Sequence, residues 1–196
     1  AVTGATKYRL LRKSTTETSW TNVGETAELS LIDKTAKSGF RYTYTVECIN
    51  GSGTATSGRD ETGRTCTYIA MAKITSVSGA ENGISITWAK PAGAKNFRVM
   101  RKVDGETSWK VLSDVLGDSY VDTTAKAGVK YWYTVRAITL AGDMYTNSYN
   151  SVGWSGIRYD MPVLTEAFNS ATGVRVSWKA VTGATKYRLL RKSTTE

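Results

Sequence analysis

The sequence contains no histidine. That removes the commonest general base near neutral pH and the commonest side-chain metal ligand. Serine and threonine are plentiful, but no residue is marked as a base able to activate one of them. Cysteine occurs only at positions 48 and 66, without the companions that a tetrahedral metal site requires. No glycine-rich loop opens a helix, so there is no phosphate cradle. Asp118 and Asp122 do not have calcium-loop spacing and read as turn residues. These gaps predict a chain that is not an enzyme, with no cofactor and no metal. Long apolar runs are missing as well: none approaches the roughly 18 residues of a spanning helix, so no membrane span is expected in this stretch. The formal charge is +9, yet no run of five like charges occurs. Nucleic-acid binding calls for a basic cluster or stripe, so nucleic acid is not an expected partner. The charge reads instead as a solvated basic surface with a generic attraction to polyanions such as cell-wall polymers.

What is present is repetition. The stretch A-V-T-G-A-T-K-Y-R-L-L-R-K-S-T-T-E occupies residues 1–17 and recurs without a mismatch at 180–196, a period of 179 residues. A match of that length predicts a tandem array, seen through a window slightly longer than one period. Such a window would lack a leader peptide whatever the protein's destination. Residues 1–17 carry a net +3, so one period carries +6 of the +9.

A second, weaker repeat of 89 residues lies inside the period. Trp20 answers Trp109, Asp33 answers Asp122, Tyr42 answers Tyr131 and Val46 answers Val135. G-I-S-I-T-W at 83–88 answers G-V-R-V-S-W at 173–178, offset by 90. Met71 and the pair Met161-Pro162 mark the junctions. The predicted domains are therefore an incomplete module over 1–70 holding only later strands, a complete module over 71–160, and the first strands of another over 161–196. Linkers this short leave little room for hinging.

No segment has helical periodicity. Tyr42, Tyr44, Val46 and Cys48 alternate with Thr43, Thr45 and Glu47, the period-2 pattern of a half-buried strand. Strands are also expected over 6–13, 19–23, 27–32 and 65–69, with a Gly/Ser/Thr-rich loop at 50–63. The middle module repeats them, with strands around Val77, at Ile84–Trp88, at Phe97–Val99 and at Tyr131–Ala137, and a last one over 151–159. About seven short strands per 90 residues predict an all-β, two-sheet sandwich.

A Trp on the second strand, an aromatic nine residues later, and a turn-G-x-x-Tyr-x-aromatic-x-Val strand together resemble fibronectin type III modules, an Ig-like fold. Trp88, Phe97, Gly128, Tyr131 and Val135 carry the pattern in the middle module; Trp178, Tyr187, Gly39, Tyr42 and Val46 carry it in the other. The resemblance implies a structural core around Trp88, Trp178, Tyr42 and Tyr131, with each tyrosine forming a corner whose hydroxyl bonds nearby backbone. Two features depart from the family. Ala36 and Ala125 stand where it usually has Leu, and the integrin-binding tripeptide is absent, since 58–60 reads G-R-D. Highly alike modules rich in Thr and Lys look more like bacterial surface or extracellular repeat proteins than animal matrix.

The candidate binding patch is Arg98, Met100, Trp132, Arg136 and Trp154. Trp132 falls out of phase with Tyr131 and Tyr133 and should face away from the core, with Arg136 on its face and Arg98 and Met100 on the neighbouring strand. The alternative is a guanidinium-on-indole stack that only shields the sheet. Cys48 and Cys66 are expected to form a disulfide in an oxidising setting, or else to be two buried thiols. Three functions stand as expectations. One is a structural stalk or fibre at the cell surface or outside the cell, assembling or continuing head to tail with other copies or adjacent repeats. The second is a multivalent adhesive array binding glycan or protein through the Trp/Arg patch. The third is a set of spacer modules in a secreted carbohydrate-active enzyme.

Overall fold

The computed structural model describes residues 1–138 and 149–193. Residues 139–148, and Thr194 to Glu196 at the end of the second copy of the repeat, lie outside the described residues. Among those described there is no helix, and so none long and apolar enough to cross a membrane. Thirteen strands are described: β1 (Lys7–Ser14), β2 (Thr21–Thr26), β3 (Arg41–Ile49), β4 (Arg64–Thr67), β5 (Lys73–Ala80), β6 (Gly83–Ala89), β7 (Asn96–Val103), β8 (Lys110–Leu116), β9 (Ser119–Asp122), β10 (Tyr131–Ile138), β11 (Trp154–Gly156), β12 (Leu164–Ser170) and β13 (Gly173–Trp178). The chain divides into two compact units. The first is Ala1–Ala72 with Lys90–Asn96 and the described residues from Ala137; the second is Lys73–Ala89, Phe97–Arg136 and the described residues from Tyr149. These limits cut across the module boundaries read from the repeats.

The second unit holds a closed sandwich. A three-stranded sheet in the order β5-β6-β9 faces a four-stranded sheet in the order β11-β10-β7-β8. Ile84, Ile86 and Trp88 from the first meet Phe97, Val99, Tyr133 and Val135 from the second, and all seven are buried. The rings of Trp88 and Phe97 lie 5.6 Å apart and tilted, a favourable geometry for an aromatic pair. Seven antiparallel strands in two layers make this an all-β, fibronectin type III-like sandwich.

A charged network ties the two sheets together. Asp122 closes β9 with its side chain fully buried. It receives Arg101 of β7 at 2.6 Å, the Tyr133 hydroxyl of β10 at 2.8 Å, and the Thr124 hydroxyl at 2.7 Å. Burial alone would raise the Asp122 carboxyl, but its bonds to Thr124, Arg101 and Tyr133 outweigh that and hold it low. Burial, reinforced by Asp122, pushes the Tyr133 phenol up. The Arg101 guanidinium lies 4.5 Å over the Tyr131 ring, and the Tyr131 hydroxyl accepts the Lys126 amide at 3.3 Å. Reading Asp122 as a turn residue therefore misses most of its role.

The first unit repeats the same parts. Asp33 receives Arg12 at 2.6 Å and Tyr44 at 2.9 Å, Arg12 lies 4.6 Å over Tyr42, and the Tyr42 hydroxyl accepts the Lys37 amide at 3.1 Å. Burial works against the Asp33 charge, but Thr35, Arg12 and Tyr44 hold it down to about 2. Burial and Asp33 push Tyr44 up to about 12.

Among the described residues the strands of the unit form one layer, the four-stranded sheet β2-β1-β3-β4. Two sequence expectations fail for that reason. Residues 27–32, expected as a strand, form none; their counterpart is β9, which exists because β6 pairs with it. Val46, expected to face a core, is 50% exposed, whereas its counterpart Val135 is 1% exposed. Thr45 and Glu47 on the opposite face are buried, as are Tyr42 and Cys48 on the face of Val46.

At the far end, β12 and β13 form a hairpin that copies β5 and β6, including the register shift just past the residue paired with the tryptophan (Ile74/Ser76 and Leu164/Glu166). Residues 186–193 have the same sequence as β1 but form no strand, because no neighbouring strand pairs with them. Residues 151–159 contribute only the three-residue β11.

Each unit also contains a close approach of two turns. In the first, Gly39 meets the turn at 91–94, and the Ser38 hydroxyl donates to the Ala92 carbonyl at 2.7 Å. In the second, Gly128 meets Thr182 and Gly183 in the same way. Gly93 has φ +84°, and a β-carbon there would stand 2.6 Å from the Gly39 α-carbon. Gly93→Ala is expected to cost about 2 kcal/mol or more through both strain and contact. Gly105, with φ +88° but open space around it, should lose only the backbone part on mutation to Ala. Urea unfolding of the two variants side by side checks the difference; equal losses would mean that the close approach contributes nothing.

Candidate functional site

Arg98, Met100, Trp132 and Arg136 lie on the outer face of the sheet β11-β10-β7-β8, whereas Trp154, paired with the inward Tyr133, projects from the other side and does not join them. On β10 the alternation places Tyr131, Tyr133 and Val135 inside, which turns Trp132, Thr134 and Arg136 outward. The structure does not join the five candidate residues into one open surface. Met100, expected to be exposed, is 7% exposed and buried. Arg98 is held by Asp114 through two hydrogen bonds of 2.8 and 2.7 Å. That pairing raises Arg98 and lowers Asp114, as a two-point guanidinium–carboxylate bond should.

Trp132 is half-buried, and its indole N–H donates to Asp104 at 2.6 Å. Lys130 lies 4.9 Å over the same indole and 3.5 Å from Asp104. The indole bond first, and Lys130 after it, hold the Asp104 carboxyl below its usual range. Arg136 does not stack on Trp132. Its guanidinium lies 4.3 Å over Tyr149, which meets Trp109 edge-on at 6.4 Å, and Lys102 lies 4.9 Å over Trp109. Shielding by stacked cations thus occurs, but with different partners from those expected. Trp154, opposite Tyr133 on β11, is the one candidate that stands exposed, at 45%.

Sequence reasoning does not single out Asp104, Lys130, Asp114, Trp109 or Tyr149. Trp109 has a signal, since E-T-S-W recurs and Lys13 lies 4.4 Å over Trp20 just as Lys102 lies over Trp109. The others lie 13 or more positions from their partners and have no local signal, apart from the adjacency of Lys130 and Trp132.

The expected disulfide is not formed. Both thiols are free, Cys48 buried and Cys66 exposed. Register explains why: Cys66 pairs opposite Tyr42, while Cys48 lies six residues further along β3. That spacing is about 20 Å at 3.3 Å per residue, and a bridge needs α-carbons within about 7 Å. Among the described residues, no group of three His, Cys, Asp or Glu side chains could hold a metal ion.

Two further apolar surfaces stand open. In the first unit, Tyr8, Leu10, Leu29, Leu31 and Val46 line a groove of about 340 Å³. In the second, Trp178 and Leu164 of the hairpin line another of about 360 Å³ with Tyr187 and Leu189. Trp178 is half-buried and packs on Tyr187 at 5.5 Å.

No family model matches this chain, and no curated protein matches it. Among solved structures, it is similar to the FN1-FN3 domains of chicken CNTN1 at 18% identity and a TM-score of 0.35, covering 89% of this chain and 66% of that one. It is also similar to a beta-1,2-glucanase from Parabacteroides distasonis at 14% identity and a TM-score of 0.40, covering 82% of this chain and 26% of that one. The chain thus spans less than two thirds of either.

Proposed function

We propose that this chain is a non-catalytic segment of a structural stalk or fibre, built from tandem fibronectin type III-like sandwiches at a cell surface or outside the cell. One observation carries the reading: the parts that recur are those that hold a sandwich up. The Arg–Asp–Tyr network of Arg12, Asp33 and Tyr44 returns 89 residues later as Arg101, Asp122 and Tyr133 with bond lengths within 0.1 Å. The paired turns around Gly39 and Gly128 return as well. The outward positions return only in part: the Lys13–Trp20 stack and the Arg9–Glu25 pair recur as Lys102–Trp109 and Arg98–Asp114, but Trp132 stands where the first unit has Thr43, and Arg136 where it has Glu47. Repetition that preserves scaffold and varies surface suits a protein in which length is the useful property.

A recombinant chain of several periods, imaged by electron microscopy, should be a rod whose length grows in proportion to the number of periods. A compact particle would overturn the stalk reading. A glycan array probed with the same chain should stay blank. Glycan capture abolished by Trp154→Ala would favour the adhesive array in its place.

A further inference from the structure

Charge is segregated along the chain in a way that no run of like residues reveals. No Asp or Glu occurs from 34 through 46 or from 82 through 103, nor from 123 through 138 or from 167 through 195. These acid-free stretches meet in pairs. Gly39 approaches the turn at 91–94 within the first unit, and Gly128 approaches Thr182 and Gly183 within the second. Each meeting gathers three lysines that lie far apart in sequence: Lys37 with Lys90 and Lys95, and Lys126 with Lys179 and Lys186. All six are exposed. Lys186 repeats Lys7, which is exposed inside the paired strand β1, so its exposure does not come from the lack of a strand beside it. Among the described residues, none of the six ammonium groups has a carboxylate or ring partner. The nearby arginines are engaged: Arg41 donates to Thr65, and Arg158 to the Ala125 carbonyl and to Asp160.

The tyrosine corners fix the first lysine of each set, since Tyr42 accepts the Lys37 amide and Tyr131 accepts the Lys126 amide. The facing turns close on equivalent bonds, Ala94 to the Pro91 carbonyl at 3.2 Å and Ala184 to the Val181 carbonyl at 3.0 Å. In the first unit each lysine stands two residues from the close approach, and two residues reach at most about 7 Å, so the three α-carbons lie within about 20 Å of one another. The charge returns even where the alignment does not. At the offset of 90, Lys90 and Lys95 fall on Ala180 and Thr185, yet Lys179 and Lys186 stand immediately outside them. We propose that each pair of turns is a docking point for a flexible phosphodiester polymer with a polyol backbone. An ammonium group is a compact point charge that suits the single charge of a phosphodiester, whereas two-point binding of a carboxylate calls for an arginine fork. A turn offers no helix or ribbon to enter the groove of a duplex. Binding gains from the release of counterions held by the polymer. Three contacts bind weakly, and the same set in each unit makes the attachment multivalent. Docking gives the stalk a partner and stands whether or not the chain is a rod.

Titration of the isotope-labelled full chain with a short poly(glycerol phosphate) oligomer, followed by amide NMR shifts, tests this. Shifts should concentrate at Lys37 and Gly93 and at Lys126 and Gly183. The logarithm of the affinity at each pair of turns should fall against the logarithm of salt with a slope of about −2, from three contacts at about 0.7 each. Lys37→Gln with Lys90→Gln and Lys95→Gln should weaken the first docking point at least tenfold and leave the second unchanged. Lys37→Arg with Lys90→Arg and Lys95→Arg should keep it. Lys7→Gln with Lys110→Gln and Lys192→Gln removes the same charge from outside the paired turns and should change either affinity less than twofold. Shifts scattered over other basic faces, or equal weakening by the two Gln triples, would overturn the proposal in favour of unlocalised attraction. Equal affinity for polygalacturonate would overturn the choice of phosphodiester, and tighter binding of a single-stranded oligonucleotide of the same charge would assign nucleic acid in its place. None of these outcomes alters the rod expected in the electron microscope.

Discussion

Asp122→Ala is expected to destabilise the closed sandwich by about 3–5 kcal/mol, the usual cost of removing one member of a buried ion pair. The loss has three sources. Arg101 keeps its charge with no carboxylate 2.6 Å away, the Tyr133 hydroxyl is left without an acceptor, and the Thr124 hydroxyl loses its bond. An unsatisfied buried donor costs about 1–3 kcal/mol. Replacing the pair together, as Arg101→Met with Asp122→Leu, should recover much of the loss, because no stranded charge remains. Urea unfolding of the single and double variants decides between this account and simple loss of packing, under which the double variant would be the worse.

The first unit adds an acid limb. Asp33 is held at about 2 in the folded chain, against about 3.9 when unfolded. Its folded pKa is depressed, so its contribution is complete above about pH 4 and is lost as pH falls towards 2. The amount is about 2–3 kcal/mol. Asp33→Asn should flatten that limb between pH 4 and pH 2. A limb of unchanged steepness would show that Asp33 is not its source.

The architecture is legible in the sequence because both repeats and the period-2 alternation are local signals. The 89-residue spacing of Arg12 and Arg101, Asp33 and Asp122, and Tyr44 and Tyr133 is visible too, but a residue pair says nothing about burial until the sheets that enclose it are known. What is not legible depends on partners. The same residues Lys7–Ser14 are a strand in one copy and not in the other, since a strand exists only where a neighbour accepts its hydrogen bonds. Val46 is exposed and Glu47 buried, against the alternation, although Tyr42 and Cys48 on the face of Val46 are buried as expected. Cys48 and Cys66 share a hairpin, which makes a bridge plausible, but strand register, not loop length, sets their separation. Alternation places Trp132 on the correct face, yet its hydrogen-bond acceptor Asp104 is 28 residues away and no pattern points to it.

Trp88→Ala and Trp178→Ala remove the same side chain from equivalent positions and are expected to give very different results. Trp88 is 3% exposed and enclosed by Phe97 and the facing sheet, so its loss should cost about 3–5 kcal/mol. Trp178 is half-buried and touches Tyr187, so its loss should cost about 1 kcal/mol, the worth of an aromatic pair. Urea unfolding of the two variants side by side should therefore show the larger deficit for Trp88→Ala. Equal deficits would mean that Trp178 is packed as tightly as Trp88.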